Sequence, residues 1–303
     1  MAEGSAQNQT FSFLSRRFRE AGVRPYAQLG QNFLIDLNLV RLLVRTAELD
    51  THDVVLEVGT GTGSLTNLMA AEAAAVVSVE VDRHLHQLAC EELAGVGNVT
   101  MLLGDALAGK NHLNPAMVEA VFAQLDTEPG RRFKLVANLP YHIATPLMSN
   151  LLGLNRPPHS MIVTIQKEVA DRLIAAPGTK DYGALSVWVQ SQCRVELVRV
   201  LPPSVFWPRP KVSSAIVRID LDLGLRNGVP DLGYFHSFVR SMFMHRRKLL
   251  RFELCNLLKD RLGKPEVDRL MSELGLGASA RAEELGVGDM LRLAEAVRGV
   301  VVR

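Results

Sequence analysis

A chain of 303 residues with 22% charged and 48% hydrophobic side chains has ordinary globular composition, which excludes collagen, low-complexity arrays and extended disorder. The net charge of +2 makes no general case for a nucleic-acid partner, although local basic clusters can still neutralise phosphates. The three cysteines, Cys90, Cys193 and Cys255, form no CxxC pair, so a zinc ribbon, a redox dithiol and a disulfide framework are all disfavoured, and no metal site is expected.

Residues 1–24 are polar and carry Arg16, Arg17, Arg19 and Arg24; they read as a mobile or partly helical basic arm. They show no basic segment followed by an apolar one, and no apolar run in the chain approaches the roughly 18 residues of a membrane helix, so a soluble, cytoplasmic protein is expected. Asp36 suits the N-cap of a helix whose apolar positions include Leu39, Leu42, Leu43 and Ala47.

A strand–helix alternation follows. Apolar runs end at Gly59, at Glu80 to Asp82, at Asp105 and at Asn138, and a further one covers residues 159–166. Short apolar runs ending in glycine or an acid, each followed by a helical pattern, mark buried parallel strands. The predicted fold class is therefore α/β: a doubly wound, Rossmann-like sheet with helices on both faces and its ligand crevice at the carboxyl ends of the strands. The stretch from Lys110 to Arg132 is longer than a simple connection needs; a helix is expected over Pro115 to Leu125. From about residue 230 only helical spacing remains. The domains predicted are a basic arm (1–24), a cofactor-binding α/β domain (25–228) and a small all-α domain (229–303).

Two motifs carry chemistry. Glu57-x-Gly59-x-Gly61-x-Gly63 lies between a strand and a helix, where glycines let the backbone turn tightly and approach a ligand. The spacing differs from the GxGxxG of pyrophosphate binders, which shifts the expectation toward a cofactor without phosphate. Glu80, about 20 residues on, can accept both ribose hydroxyls, and Asp105 can accept from an adenine amino group. Acids at successive strand ends describe a nucleoside pocket without a phosphate clamp, as S-adenosylmethionine requires; each acid alone could equally be a helix cap.

The second motif is Asn138-Leu139-Pro140-Tyr141. The lone pair of an exocyclic amine such as adenine N6 is delocalised into the ring, so a methyl acceptor of this kind must be oriented. The Asn138 side-chain oxygen and a backbone carbonyl of Leu139 or Pro140 can accept its two N–H groups and stabilise developing charge. Proline fixes the turn, and Tyr141 can stack on an extruded base.

These residues resemble the adenine-N6 methyltransferases, and the flanking blocks narrow the resemblance to the rRNA adenine dimethyltransferase family. Leu29 to Asp36 (LGQNFLID), Gln166 to Leu173 (QKEVADRL), Tyr182 to Val187 (YGALSV) and Pro202 to Ala215 (PPSVFWPRPKVSSA) each resemble a block of that family. Arg246-Arg247-Lys248 and Arg281-Ala282-Glu283 resemble its KsgA-type branch, which acts on the small ribosomal subunit. The resemblance implies that Asn32 and Leu34 close over the cofactor, that Glu57, Gly59 and Gly61 form its glycine turn, that Glu80 binds ribose and that Asp105 binds the cofactor's adenine. It places Asn138 between cofactor and target, and Tyr141, with Phe206, around the target adenine; packing beside Trp207 is the competing reading of Phe206. The chain departs from the branch at His142, where asparagine is usual, in the length of the 110–132 segment, and at Leu249, where threonine is commoner.

Basic groups at Arg16 to Arg24, at Arg209 and Lys211, and at Arg240, Arg246, Arg247, Lys248 and Arg251 are candidate phosphate contacts. The implied activity is S-adenosylmethionine-dependent dimethylation of N6 on two adjacent adenosines near the 3′ end of small-subunit (16S) rRNA, by a monomer acting in ribosome biogenesis. One alternative is a large-subunit (23S) rRNA methyltransferase conferring macrolide resistance, against which the Arg281-Ala282-Glu283 block argues. Another is a mainly non-catalytic ribosome-assembly factor, against which the intact Glu80, Asp105 and Asn138 to Tyr141 set argues. A nicotinamide enzyme is disfavoured by the glycine spacing.

Overall fold

The computed structural model describes Arg16, Phe18 and residues 31–110, 112–246 and 248–301. The rest of the basic arm, with Arg17, Arg19 and Arg24, lies outside the described residues, as do Leu29, Gly30 and Arg247. The chain forms two compact units, Met1–Ala170 with Glu196–Asp220, and Asp171–Val195 with Leu221–Arg303. The second unit therefore takes in residues 171–195, which the linear boundary at 228 assigned to the α/β domain.

In the first unit, strand β1 (Phe33–Leu34) precedes helix α1 (Leu37–Ala47). The Asp36 carboxylate caps α1 by accepting the Asn38 N–H at 2.9 Å, as its sequence position implied. The alternation continues through β2 (Asp53–Val58), α2 (Ser64–Ala70), β3 (Ala75–Glu80), α3 (Arg83–Glu92) and β4 (Val99–Leu103). A small antiparallel hairpin, β5 (Leu107–Gly109) and β6 (His112–Leu113), leads into α4 (Pro115–Leu125). Asn114 caps α4 and Pro115 occupies its first turn, where a missing N–H costs nothing. The segment from Lys110 to Arg132 thus holds the expected helix and the second strand of a hairpin that the sequence did not announce. After it come β7 (Arg132–Asn138), α5 (Tyr141–Leu152), β8 (Ser160–Gln166) and α6 (Lys167–Ile174).

Beyond α7 (Ala184–Gln190) lie β9 (Cys193–Leu201), β10 (Phe206–Trp207) and β11 (Ser214–Leu221). Among the described residues the main sheet has seven strands in the order β4-β3-β2-β7-β8-β11-β9. Neighbours from β4 to β8 run parallel. β11 is antiparallel to β8, pairing Ser214 with Gln166 and Asp220 with Ser160. No helical crossover feeds β11 directly, so it returns antiparallel rather than extending the parallel run.

The central strands are buried along their whole length, as a sheet covered on both faces requires. Val55, Val76, Val136, Ile162 and Ile216 form the row that meets Leu39, Leu43, Leu65 and Met69 of α1 and α2. α4 lies on β2, β3 and β7 through a buried stripe of Met117, Val121 and Leu125. At the amino end of β2, buried Asp53 meets Lys134 at 2.9 Å, and the Lys134 ammonium also donates to the Ala47 and Glu48 carbonyls, tying the end of α1 to the sheet.

The second unit also contains α8 (Leu223–Asn227), α9 (Leu232–Met242), α10 (Leu250–Leu257), α11 (Lys264–Glu273) and α12 (Val287–Val301). Phe235, Phe238, Val239 and Met242 bury one face of α9, and α9 packs against α7, α10 and α12. Trp188 of α7 stacks on His236 of α9 with centroids 4.4 Å apart, and the buried Tyr182 donates to the Leu285 carbonyl at 2.9 Å. These contacts are why residues 171–195 belong to the helical unit. Two members of the third basic group also hold this unit together: Arg246 bonds Glu283 and the Thr179 carbonyl, and Arg251 makes a two-pronged bond to Asp268.

Candidate functional site

The site forms where β2, β3, β4 and β7 end. Gly59 follows β2 at φ +87°, and a Cβ built there would lie 3.4 Å from two Pro140 ring carbons. The turn after β2 therefore presses on the turn after β7, and only glycine adopts this backbone without strain. Gly61, at φ +59°, receives the Phe33 ring, which a Cβ would meet at 3.2 Å. β1 reaches this position by pairing antiparallel with β10: Phe33 opposes Trp207 and Leu34 opposes Phe206.

Two open chambers flank Gly59, of about 420 and about 410 Å³. The first is lined by Phe33, Leu34, Glu57, Gly59, Thr60, Gly61, Thr62, Ser64 and Asn138, with Val40, Leu43 and Leu65 behind. The second is lined by Val58, Gly59, Val79, Val81, Gly104, Asp105, Ala106, Pro140, His142 and Ile143. The first is rich in hydroxyls and is also lined by Glu57 and Asn138. The second is a mainly apolar slot with a carboxylate at its edge. Among the described residues neither lining contains lysine or arginine, so these linings offer no cation to a phosphate.

Glu57 is fully buried, and one of its oxygens accepts from the Thr66 hydroxyl at 2.5 Å and the Ser78 hydroxyl at 2.6 Å. Thr60 in turn bonds Ser78 at 2.6 Å. Burial pushes the Glu57 carboxyl up to about 8; the two hydroxyls oppose that shift, and neighbouring Glu80 adds to it. Burial also raises Glu80, against the hydrogen bonds it accepts from the Gly61 N–H at 2.9 Å and the Asp82 N–H at 3.0 Å. Glu80 thus clamps the glycine turn, between Val79 and Val81, which line the second chamber. Asp105 is exposed there and accepts the Leu107 N–H at 2.9 Å.

Asn138, last in β7, donates from Nδ2 to the Asn32 carbonyl at 2.8 Å. That bond commits the nitrogen and leaves Oδ1 as the acceptor of a side chain that lines the first chamber. The Asn32 carbonyl thereby orients Asn138. Leu139 is buried and donates to the Thr164 carbonyl at 3.1 Å. The Pro140 carbonyl accepts the Ile143 N–H at 3.1 Å in the opening turn of α5, which favours the Leu139 carbonyl as the second acceptor. Tyr141 is partly buried; its hydroxyl lies 2.6 Å from that of Ser214, and burial raises its phenol against that bond.

Phe206 departs from the stacking expectation. It is 2% exposed and packs in the core with Leu34, Leu39, Leu43 and Leu201. Its neighbours satisfy an apolar ring, and no face remains for an incoming base.

The sequence reading missed Ser78, Thr66 and Ser214. A serine within the otherwise apolar AVVSVE strand was the available signal for the first of these. The apolar lining from Val81, Ala106 and Ile143 carried no signal of its own.

Comparison with known proteins places this geometry among RNA methyltransferases. The family model described as ribosomal RNA adenine dimethylase matches residues 24–298. The chain is 40% identical to ribosomal RNA small subunit methyltransferase A of Bacillus cereus over 273 residues, covering 89% of this chain and 90% of that one. The same figures hold for the protein of that name from Bacillus anthracis. Among solved structures, a dimethyladenosine transferase from Plasmodium falciparum superposes with a TM-score of 0.70 at 22% identity, covering 88% and 97% of the two chains. The 23S rRNA methyltransferase ErmE gives 0.59 at 25% identity, covering 88% and 100%.

Proposed function

The chain belongs to the ribosomal RNA adenine dimethylase family, and from that premise we propose how its residues dimethylate N6 of two adjacent adenosines near the 3′ end of small-subunit rRNA. It is an S-adenosylmethionine-dependent rRNA methyltransferase with the sheet of that fold and a helical region after it. The observation that carries the mechanism is Asn138, fixed by Asn32 with its oxygen left as an acceptor beside Gly59.

The residues fit the cofactor. The first chamber offers hydroxyls and Glu57 to the charged amino-acid end, and the second offers an apolar slot edged by Asp105 to adenine. Gly59 lines both chambers, and its backbone packs against the Pro140 ring between them. S-adenosylmethionine held there would supply an electrophilic methyl group to the N6 lone pair, and the N6 proton displaced would pass to water. Asn138 Oδ1 and the Leu139 carbonyl accept the two N–H groups of the target amine, aim its lone pair and stabilise the positive charge it gains. Tyr141 stacks on the base. The positively charged product amine gives up its proton to water and needs no strong base.

Small-subunit rRNA is favoured over large-subunit rRNA because the 40% relatives are small-subunit enzymes over nearly their full length, whereas ErmE is more distant. A cytoplasmic monomer is part of the same reading; among the described residues no helix is long and apolar enough to cross a membrane. The test is methyl transfer from labelled S-adenosylmethionine to unmethylated small subunits, large subunits and naked rRNA, followed by nucleoside analysis. Dimethyladenosine on small subunits alone is the expected result. Label on large subunits would overturn the assignment, and cofactor binding without label anywhere would favour the assembly-factor reading.

Glu80→Ala removes the bond to the Gly61 N–H of the glycine turn and the bond to the Asp82 N–H, as well as the ribose acceptor. Its expected effect, read by calorimetry, is a loss of S-adenosylmethionine affinity of about tenfold or more. Wild-type affinity would contradict the ribose assignment.

A further inference from the structure

We propose that Ser214 is a positioning residue whose buried hydroxyl fixes the plane of the Tyr141 ring and so favours the second methyl transfer over release of the singly methylated base. The proposal rests on the reading that Tyr141 stacks on the target adenine.

The strand register puts these residues together. Asn138 of β7 opposes Thr164 of β8, Thr164 opposes Ile216 of β11, and Ser214 lies two residues from Ile216. Residues in register share a face, as do residues two apart along a strand, so Asn138 and Ser214 rise from the same face. Tyr141, three residues after Asn138, reaches across to Ser214, and the two oxygens lie 2.6 Å apart. Ser214 is fully buried in β11, so its position is set by the sheet.

Stacking needs only the ring, and phenylalanine would supply it. A phenol in a partly buried site costs free energy unless its hydroxyl is bonded. The bond to Ser214 gives the hydroxyl a purpose: a side chain with two rotatable bonds, held at its far end, cannot swing. The ring becomes a fixed wall for the base.

That wall matters unequally in the two transfers. Unmethylated adenine offers two N–H groups, one to Asn138 Oδ1 and one to the Leu139 carbonyl. The first transfer replaces one N–H by a methyl group and sends its proton to water. The singly methylated amine keeps one N–H, so one of the two orienting bonds is gone. Alignment of the second transfer then depends more on the stacked ring, and loosening the ring penalises that step more than the first.

The test is single-turnover methylation of unmethylated small subunits by the wild type, Ser214→Ala, Ser214→Thr, Tyr141→Phe and Tyr141→Ala, with quantification of N6-methyladenosine and N6,N6-dimethyladenosine. Ser214→Ala and Tyr141→Phe remove the same bond from opposite ends. Each is expected to lower the rate of the second transfer relative to the first by about three- to tenfold, the worth of one hydrogen bond, and to accumulate the monomethyl product. Ser214→Thr, which keeps the hydroxyl, restores the wild-type ratio. A structural defect alone would lower both steps together. If Ser214→Ala fails to fold, Tyr141→Phe carries the test. An unchanged product ratio in Tyr141→Phe and in any folded Ser214→Ala, with Tyr141→Ala strongly impaired, overturns the role of Ser214 and leaves the stacking reading intact. Unimpaired transfer by Tyr141→Ala overturns both.

Discussion

Asn138→Ala lowers the rate of methyl transfer by about 100- to 1,000-fold, the usual worth of one preorganised group aimed at developing charge. S-adenosylmethionine affinity falls much less, because Glu57, Gly59, Glu80 and Asp105 are untouched. Rapid-quench transfer and calorimetry on the same preparation separate the two effects; an unchanged turnover rate would remove Asn138 from the mechanism. Asn138→Asp asks a sharper question. It keeps an acceptor but turns the group facing the Asn32 carbonyl from donor to acceptor, so the 2.8 Å bond cannot form. If orientation by Asn32 is what makes Asn138 effective, this variant is nearly as slow as the alanine one. If an acceptor alone suffices, it retains most of the activity.

What the sequence made legible follows from where its physics is local. The parallel strands were readable because each is a short apolar run, all but β8 ending at a glycine, an acid or Asn138, and burial on both faces of the central strands leaves no alternation to confuse the reading. Helix α1 was readable from one cap, Asp36. β1 and β10 were not: two residues each have no periodicity, and their pairing joins positions about 170 apart. The grouping of 171–195 with the helical unit rests on contacts such as Trp188 on His236, which no local pattern encodes.

The site divides in the same way. Gly59, Asp105 and Asn138 sit at strand ends and do line the two chambers. The partners of Glu57 and Tyr141 were hidden because Ser78 and Ser214 act from other strands. Phe206 shows the converse: a motif position marked it, but burial decides what its ring can touch, and burial is a property of the whole sheet.

Glu57 yields the second large prediction. Its carboxyl is shifted up to about 8 in the folded protein by burial, against an ordinary value of 4.5. Below pH 4.5 both folded and unfolded chains hold this proton. Between 4.5 and 8 the unfolded chain releases it and the folded chain does not, so folding stability falls as pH rises across that window and is flat above it. Glu57→Gln keeps the shape and an oxygen acceptor for Thr66 and Ser78 but cannot ionise. The variant and the wild type are expected to be nearly equal in stability at pH 5, with the variant ahead by a few kcal/mol at pH 8, measured by denaturant unfolding. Parallel profiles would show that Glu57 ionises as readily folded as unfolded. The same carboxyl lines the chamber assigned to the charged end of the cofactor, and a cation there favours its ionised form. Wild-type affinity for S-adenosylmethionine therefore climbs as pH approaches about 8, with a proton released on binding that calorimetry in buffers of different ionisation enthalpy detects. Glu57→Gln loses both the affinity gain and the proton release, so the substitution that stabilises the fold at pH 8 weakens the site.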